Sequence, residues 1–511
     1  MEATDRSALA ADIATAPTVK EVKDQIVQEV SVLMTWVLSG ESLTFFAFEM
    51  ALVPRVLALG RLFVQLFLAM RQARFQSRHP QPEPGYKRQG PDARLLGTFF
   101  GKVRYARTYW YRQGGGYYPL DVELGLTVDG FSMLLRSLAV RIATKVSYAQ
   151  AVLLLNLFLG WSPAQESVEG MVLGLGRHTA AWFEHAPAPE GDGEVLVIQM
   201  DGKATPTATE AELEKRQGKR AANPHPGSQR HRGRAARQRR GSKRRRKKGD
   251  KAKNGRMATI VVIYTLRKSA DGSLEGPLNK KVYASYAPKR HAVAIARREA
   301  DKRGFTPQSG KRIQVVTDGD NDLERYIAEF FPEAEHTIDV YHVVEYLWEA
   351  GECLYLEGSA ELQEWVEAQK AALYDGRVAE VIAELEHQLE KLDPSRVSQR
   401  ERLTKIQAYL VKRQTKMEYK RLREQDLEIS SGAVEGAVNY VIAKRFDSGG
   451  MRWIKERAEA LLQLRCIEVN DDWEAFITFV HDQIRSQAQQ EHRNLSLKCT
   501  QPAPLPTYGL A

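Results

Sequence analysis

From residue 19 to 78 apolar side chains recur three and four positions apart, opening with Val22, Ile26, Val30, Leu33 and Val37, and that spacing predicts helix. The Pro/Gly-rich run from His79 to Gly85 breaks the pattern. Thr98–Arg112 then alternates aromatic or β-branched residues with bases, a strand signal, and Gly114 to Gly116 turns the chain. Residues 131–185 predict three helices. Ser147 with Gln150, and Ser162-Pro163 with Gln165, have the spacing of capping boxes, and the tight turn Leu159-Gly160-Trp161 lies between them. Helix, short turn, helix fits a helix-turn-helix unit, and it fits an ordinary antiparallel helix pair equally well.

Beyond the linker Ala186–Gly191 the period changes. Glu194–Met200 reads as a buried strand ending at Asp201-Gly202, and Ala258–Leu266 and Lys280–Tyr286 read as two further strands. A helix near 291–303 leads to strand Arg312–Thr317, which ends at Asp318-Gly319-Asp320; helix Asn321–Phe331 and strand Glu335–Val340 follow. Three antiparallel strands and then βαβ-like units are expected. Residues 343–429 form a long helical block rich in Glu, Gln, Lys and Leu. A further helix starts after Ser430-Ser431-Gly432 and carries Glu435, and the tail from Ser486 is polar.

Composition adds three constraints. A chain of 511 residues with 43% hydrophobic content can bury a large core, and its length suggests roughly three to four domains. Its apolar stretches are cut by Arg55, Arg61 and Arg71, or by Asn156 and Pro163, so no membrane span is expected; nor does the N-terminus have a signal-peptide layout. Three cysteines without a C-x-x-C pair exclude a disulfide framework and a cysteine zinc site, and suggest a reducing cytoplasm.

The net charge of +10 changes meaning once it is mapped. Residues 215–256 hold 19 Lys and Arg against one acid, Asp250, so the rest of the chain is net negative. The core of this tract, including Arg244, Arg245, Arg246, Lys247 and Lys248, has almost no large apolar residue; it can bind a polyanion through counterion release, or be a solvated insertion. In the Thr98–Arg112 segment Arg104 and Arg107, interleaved with Tyr105, Tyr109 and Trp110, suit phosphate and base contact, and suit the two faces of a plain sheet as well.

Candidate chemistry lies where strands end. Asp201 and Asp318 both follow apolar strands, which places them on the rim where α/β folds carry their sites. Two nearby carboxylates repel unless a cation lies between them, and hard oxygen donors favour Mg²⁺ or Mn²⁺. Glu435 supplies a third acid, with Asn439 one turn along the same helix face. Taken singly, either aspartate reads as a turn former; the pair with a third acid reads as a site.

The order Asp201, Asp318, Glu435 resembles the RNase H-like DDE transposases of bacterial insertion sequences, with the helical block before Glu435 similar to their all-helical insertion. The segment from Asp339 to His342 resembles the [C/D]-x-x-H element of Mutator-like transposases. Ser431–Glu435, Arg445–Trp453 and Tyr117–Leu126 resemble segments of the Kra group of insertion-sequence transposases. The cysteine pairs that such relatives often carry near residues 95–118 are missing here.

The resemblance implies an α/β RNase H-like catalytic domain with a large all-helical insertion, preceded by a helical and β-hairpin DNA-binding region. Its expected boundaries are 1–90 for an N-terminal helical region and 91–190 for the DNA-binding region. The catalytic domain would span 191–342 and 430–485, with a basic insertion at 203–256, the helical insertion at 343–429 and a flexible tail at 486–511. Asp201, Asp318 and Glu435 would hold two Mg²⁺ or Mn²⁺ ions for cleavage and joining of double-stranded DNA at transposon ends and target. Asp339, His342 and Asn439 would orient those ligands. Lys444, Arg445 and Arg452 would clamp a phosphate, or lie on a solvated helix face. A homo-oligomer on DNA, associated with the nucleoid and not with a membrane, is expected. A nuclease that only hydrolyses, and a non-catalytic helix-turn-helix DNA-binding protein, are the rival readings.

Overall fold

The computed structural model describes residues 16–40, 43–214, 255–447 and 451–497. The chain divides into two compact units, residues 1–178 with 472–511, and residues 179–471.

In the first unit the helical N-terminus is two helices, α1 (Val19–Leu38) and α2 (Phe45–Arg78). A capping box of Thr18 with Glu21 starts α1, the Thr44 side chain caps α2, and Trp36 stacks on Phe48 at 5.1 Å between ring centroids to hold the pair together. The arginines at 55, 61 and 71 do not interrupt α2: by length and composition this 34-residue helix is able to cross a membrane, which the sequence reading excluded.

The hairpin strand expected over Thr98–Arg112 is β2 (Gly101–Arg112), and its partner β1 (Lys87–Thr98) is a strand the alternation did not reveal. The first six residues of β1 are exposed and include Pro91, and the register slips between Gln89 and Asp92, so its hydrophobic signature is confined to its last few residues. Short strand β3 (Gly115–Tyr117) completes the sheet, and α3 (Pro119–Leu124) follows. The buried Gln65 side chain of α2 accepts from the Arg104 N–H at 3.1 Å and donates to the Arg104 carbonyl, tying the helix to β2.

Helices α4 (Met133–Lys145), α5 (Tyr148–Leu159) and α6 (Gln165–Gly176) form the expected trio. The Ser147–Gln150 capping box is present, and Gly160 ends α5 at φ +70°. The second expected box does not form. Ala164, in extended conformation, is the N-cap of α6, so the helix starts two residues beyond Pro163 and no side chain caps it.

In the second unit α7 (Thr179–His185) precedes a five-stranded sheet of β4 (Val195–Pro206), β5 (Gly255–Lys268), β6 (Leu274–Ser285), β7 (Arg312–Thr317) and β8 (Glu335–Ile338). The spatial order is β6-β5-β4-β7-β8. β4, β5 and β6 pair antiparallel, while β7 and β8 continue parallel to β4. Helix α8 (Lys289–Lys302) crosses from β6 to β7, and α9 (Asn321–Phe330) from β7 to β8.

Alternation along β4 and β7 assigns their two faces. Leu196, Ile198, Met200, Ile313 and Val315 join Val293, Ala296, Leu323 and Ile327 in one core, so Gln199, Asp201, Gln314 and Asp318 project from the opposite face. β4 does not stop at Asp201, where the sequence pattern placed its end. It pairs with β5 as far as Pro206↔Gly255, because β5 offers a hydrogen-bonding edge for its whole length, whereas its pairing with β7 ends at Met200↔Thr317. The ends of the expected basic insertion, residues 203–206 and 255–256, are therefore part of the sheet. Residues 215–254, with Arg244, Arg245, Arg246, Lys247 and Lys248, lie outside the described residues.

The helical insertion comprises α10 (Val340–Leu354), α11 (Ala360–Tyr374), α12 (Val378–Lys391), α13 (Val397–Arg413) and α14 (Tyr419–Glu424), around a core that includes Leu347, Val366, Val381, Leu403 and Leu410. α15 (Gly432–Ala437) passes into a π turn (Val438–Ala443), then the short α16 (Lys444–Phe446) and α17 (Lys455–Val469). Last comes α18 (Trp473–Leu497), which belongs to the first unit and stays helical beyond Ser486, where a flexible tail was expected.

A candidate metal centre on the five-stranded sheet

One step past the last parallel pair, Met200↔Thr317, come Asp201 and Asp318, neighbours on one face of adjacent strands. Each is half-buried. The Asp201 carboxyl is pushed above the ordinary carboxylate range first by burial, against the pull of the Gly202 N–H it accepts from; the charges of Asp318 and Glu435 raise it further and His342 opposes them. Asp201, Asp318, His342 and Glu435 thus share one electrostatic site.

The Asp318 turn needs its glycine. Gly319 has φ +79°, and a Cβ there would sit 2.5 Å from the Tyr409 hydroxyl. Tyr409 donates to the Asp318 carbonyl at 2.7 Å, and Arg413 donates to the Gly319 carbonyl at 2.7 Å, so α13 fixes this loop. Gly202 serves differently: it is paired within β4, opposite Thr259, and no turn follows it.

Asp339 caps α10. One carboxyl oxygen accepts from the Tyr341 N–H at 2.8 Å and the other from the Ser431 hydroxyl, while its own N–H donates to the Thr317 carbonyl at 2.9 Å. One turn on, His342 Nε2 lies 4.0 Å from Asp339 and its Nδ1 lies 3.7 Å from Glu345. Asp339, His342 and Glu435 each place a donor atom within 4.8 Å of the others. Two donors at about 2.1 Å on opposite sides of a small divalent ion are roughly 4 Å apart, so these three approach the separation one ion requires. In the sequence Asp339 and His342 read as residues that orient the ligands; in the structure they lie beside Glu435 with donor atoms close enough to share one ion. The fold brings Asp201 and Asp318 within electrostatic reach of that group, but not into the same tight triad.

Glu435 returns to the sheet after the whole helical insertion, and two buried glutamines receive it. Gln199 donates to the Tyr264 hydroxyl at 3.0 Å and the Ser430 carbonyl at 3.1 Å, and accepts from the Val434 N–H at 3.0 Å. Gln314 donates to the Glu428 carbonyl at 2.7 Å and accepts from the Glu428 N–H at 3.0 Å. These bonds clip residues 428–434 across β4 and β7, one residue short of Glu435. Sequence reasoning missed both glutamines, although each stands in an otherwise apolar strand, and a polar side chain at such a position requires buried partners.

The remaining predicted residues are placed variously. Asn439 is exposed in the π turn, a helix irregularity common at functional sites. Lys444 and Arg452 are exposed. Arg445, read from the sequence as a phosphate clamp, is 2% exposed and stacks over Trp453, 4.8 Å from the ring centroid. In the first unit Arg107 is engaged by Asp121 and by the Tyr118 ring, and Arg104 is half-exposed on β2.

Among the described residues no lysine or arginine forms an ion pair with Asp201, Asp318, Asp339 or Glu435. Four carboxylates and an imidazole with no counter-charge among the described residues suit a hard divalent cation.

No protein-family model matches the chain. No curated protein matches it. Among solved structures it is similar to a chain of the Drosophila P element transposase strand transfer complex, at 10% identity and a TM-score of 0.28, covering 66% of this chain and 92% of that one.

Proposed function

We propose that this protein is a DNA transposase of an insertion sequence, with an RNase H-like catalytic domain that cuts transposon ends and joins them to target DNA. The observation that carries the reading is the convergence of Asp201, Asp318, Asp339, His342 and Glu435 on one sheet face without a basic partner among the described residues. Supporting it are the strand order, with three antiparallel strands extended by two parallel ones, and the helical insertion between β8 and α15.

Asp201, Asp318 and Glu435 would hold Mg²⁺ or Mn²⁺, with Asp339 and His342 completing the donor set. Bound there, the ions supply stabilisation of the attacking and leaving oxygens of an in-line phosphodiester displacement. The chain's own part is placement. β4 and β7 fix two carboxylates by register, Gln199 and Gln314 fix the segment that delivers the third, and Tyr409 with Arg413 hold the Asp318 loop. Exposed Lys444 and Arg452 beyond Glu435, and the Lys/Arg tract of residues 215–256, would grip DNA phosphates.

The test is incubation of the full chain with duplexes carrying the element's ends, with Mg²⁺, Mn²⁺ or Ca²⁺. Nicking and strand transfer are expected with the first two and only binding with Ca²⁺. Cleavage without transfer would make it a nuclease, and binding without cleavage under any metal would sink the catalytic reading. Replacing residues 215–254 with a short Gly/Ser loop should flatten the slope of log affinity against log salt by roughly five units, if about six bases touch phosphates. Sequence preference should change little, because such contacts read no base edges.

A further inference from the structure

Three elements of the first unit enclose a cavity of about 450 Å³: α2, the turn between β1 and β2, and the turn between α5 and α6. Small-ligand sites run from roughly 300 to 1,000 Å³. Leu57 and Leu159 give this cavity apolar lining, Phe100 and Trp161 aromatic surface, and Arg61 and Lys102 two positive charges. No acid lines it. Because α6 starts only at Gln165, residues 160–164 form an open turn, and that turn carries Trp161 to the cavity.

The polar groups here stand without partners, unlike their neighbours. Along α2, Arg55 stacks over Trp36 at 4.2 Å from the ring centroid, and Arg71 and Arg78 both pair with Glu123. Among the described residues Arg61 and Lys102, both exposed, have no ion pair. The Trp161 indole N–H is buried with no hydrogen-bond partner, and a buried donor left so is rare enough to ask for an explanation.

Glycines let these walls approach. A Cβ on Gly60, in the middle of α2, would sit 2.5 Å from the Phe100 ring, and one on Gly97 would sit 3.0 Å from the Trp161 ring. Gly101 has φ +116°, and a Cβ there would sit 3.2 Å from Arg61 Cδ. A glycine inside a helix weakens it relative to alanine, and at Gly60 the contact with Phe100 is what the missing side chain permits.

We propose that this cavity takes one unpaired nucleotide of bound DNA. Every base has a π-face that an aromatic ring can stack on, and the indole N–H would donate to an acceptor on the base edge. Arg61 and Lys102 would take the phosphates on either side. A paired base cannot enter a cavity of this size, so the nucleotide is extruded from the duplex or already single-stranded. The inference rests on the DNA-binding part of the proposed function and not on its metal chemistry.

The test is fluorescence anisotropy of the full chain with labelled DNA and no divalent metal, so that cleavage plays no part. Three ligands are compared: a paired duplex, the same duplex with one extra unpaired thymidine, and that duplex with an abasic unit in the thymidine's place. The last two carry the same phosphates, so the Lys/Arg tract sees them alike. The duplex with the unpaired thymidine should bind about tenfold tighter than the other two, the range for one stacked base. Trp161→Leu should erase that preference and leave affinity for the paired duplex unchanged. Arg61→Gln with Lys102→Gln, at exposed positions where folding is not at stake, should reduce it, and this variant carries the test if circular dichroism shows Trp161→Leu unfolded. Equal binding of the three duplexes by the wild type, or a preference kept by the variants, would overturn the inference and leave the DNA reading standing. Binding to none of them would overturn both. Competition by free thymidine monophosphate at micromolar concentration would make the ligand a small molecule and also overturn it.

Discussion

Each unit of the chain holds a carboxylate centre, and the two are solved in opposite ways. In the first unit Asp121 is 7% exposed and receives Arg94 at 2.8 Å, Arg107 and the Tyr105 hydroxyl. Burial works against the charge on Arg94, and Tyr105 with Asp121 more than restores it, so its pKa lies above the ordinary value. In the second unit Asp201, Asp318, Asp339 and Glu435 gather with hydrogen-bond donors and one imidazole but, among the described residues, no guanidinium or ammonium. A neutralised cluster holds structure together by itself. An uncompensated one has an electrostatic deficit that a bound cation would remove, and this difference singles out the second cluster as the candidate site.

The sharpest way to break the comparison is to neutralise one acid in each centre. Asp201→Asn, Asp318→Asn and Glu435→Gln should each lower end cleavage by at least about a thousandfold, roughly 4 kcal/mol of barrier. DNA affinity and melting temperature should be unchanged or slightly raised. Full cleavage by Glu435→Gln would move the third ligand to Asp339. Asp121→Asn should do the reverse, leaving two arginines without their counter-charge and costing about 3–5 kcal/mol in urea unfolding, with the chemistry of any remaining folded protein intact.

Next in size is acid sensitivity beside the second centre. His336 is buried against Thr317, 2.9 Å from its hydroxyl; burial, with Lys416 and Arg413 nearby and Glu324 opposing them, lowers its pKa from 6.5 to about 4. Between those values the unfolded chain binds a proton that the folded one refuses. Stability is therefore complete above pH 6.5 and falls by roughly 3 kcal/mol as pH drops to 4. His336→Gln should flatten that part of a stability–pH curve, and an unaltered slope would assign the acid lability to other groups. The smallest effect separates the centres by ligand: Mg²⁺ or Mn²⁺ at a hundred times its dissociation constant should stabilise the wild type by about 2.7 kcal/mol. Asp318→Asn should lose that stabilisation, and a comparison protein carrying Tyr105→Phe beside Asp121 should keep it.

Much of the second unit was legible because its signals are local. Mainly apolar runs identified β4, β5 and β7, and the acids after VLVIQM and IQVVT stood out against them. Where β4 would stop was not legible, since a strand ends where its partner ends, and β5 is long on one side while β7 is short on the other. β1 was missed because its exposed half carries no alternation, and Arg445 was misplaced because a lone arginine near a helix end reads as surface until Trp453 is known to cover it.

The sequence by itself determined most of the elements, the two aspartates where strands of one sheet were expected to end, the third acid on a late helix and the basic tract between the first two strands of that sheet. These follow from short-range periodicity and charge, which a chain displays before it folds. The tertiary structure alone decided that Glu435 reaches the sheet through the grip of Gln199 and Gln314, that Asp339 and His342 stand beside Glu435, and that Arg107 serves Asp121. The longest of these links, from Gln199 to Val434, spans 235 positions. Which buried polar group finds which partner is set by the register of strands and the return path of the insertion, and neither is written in any local pattern.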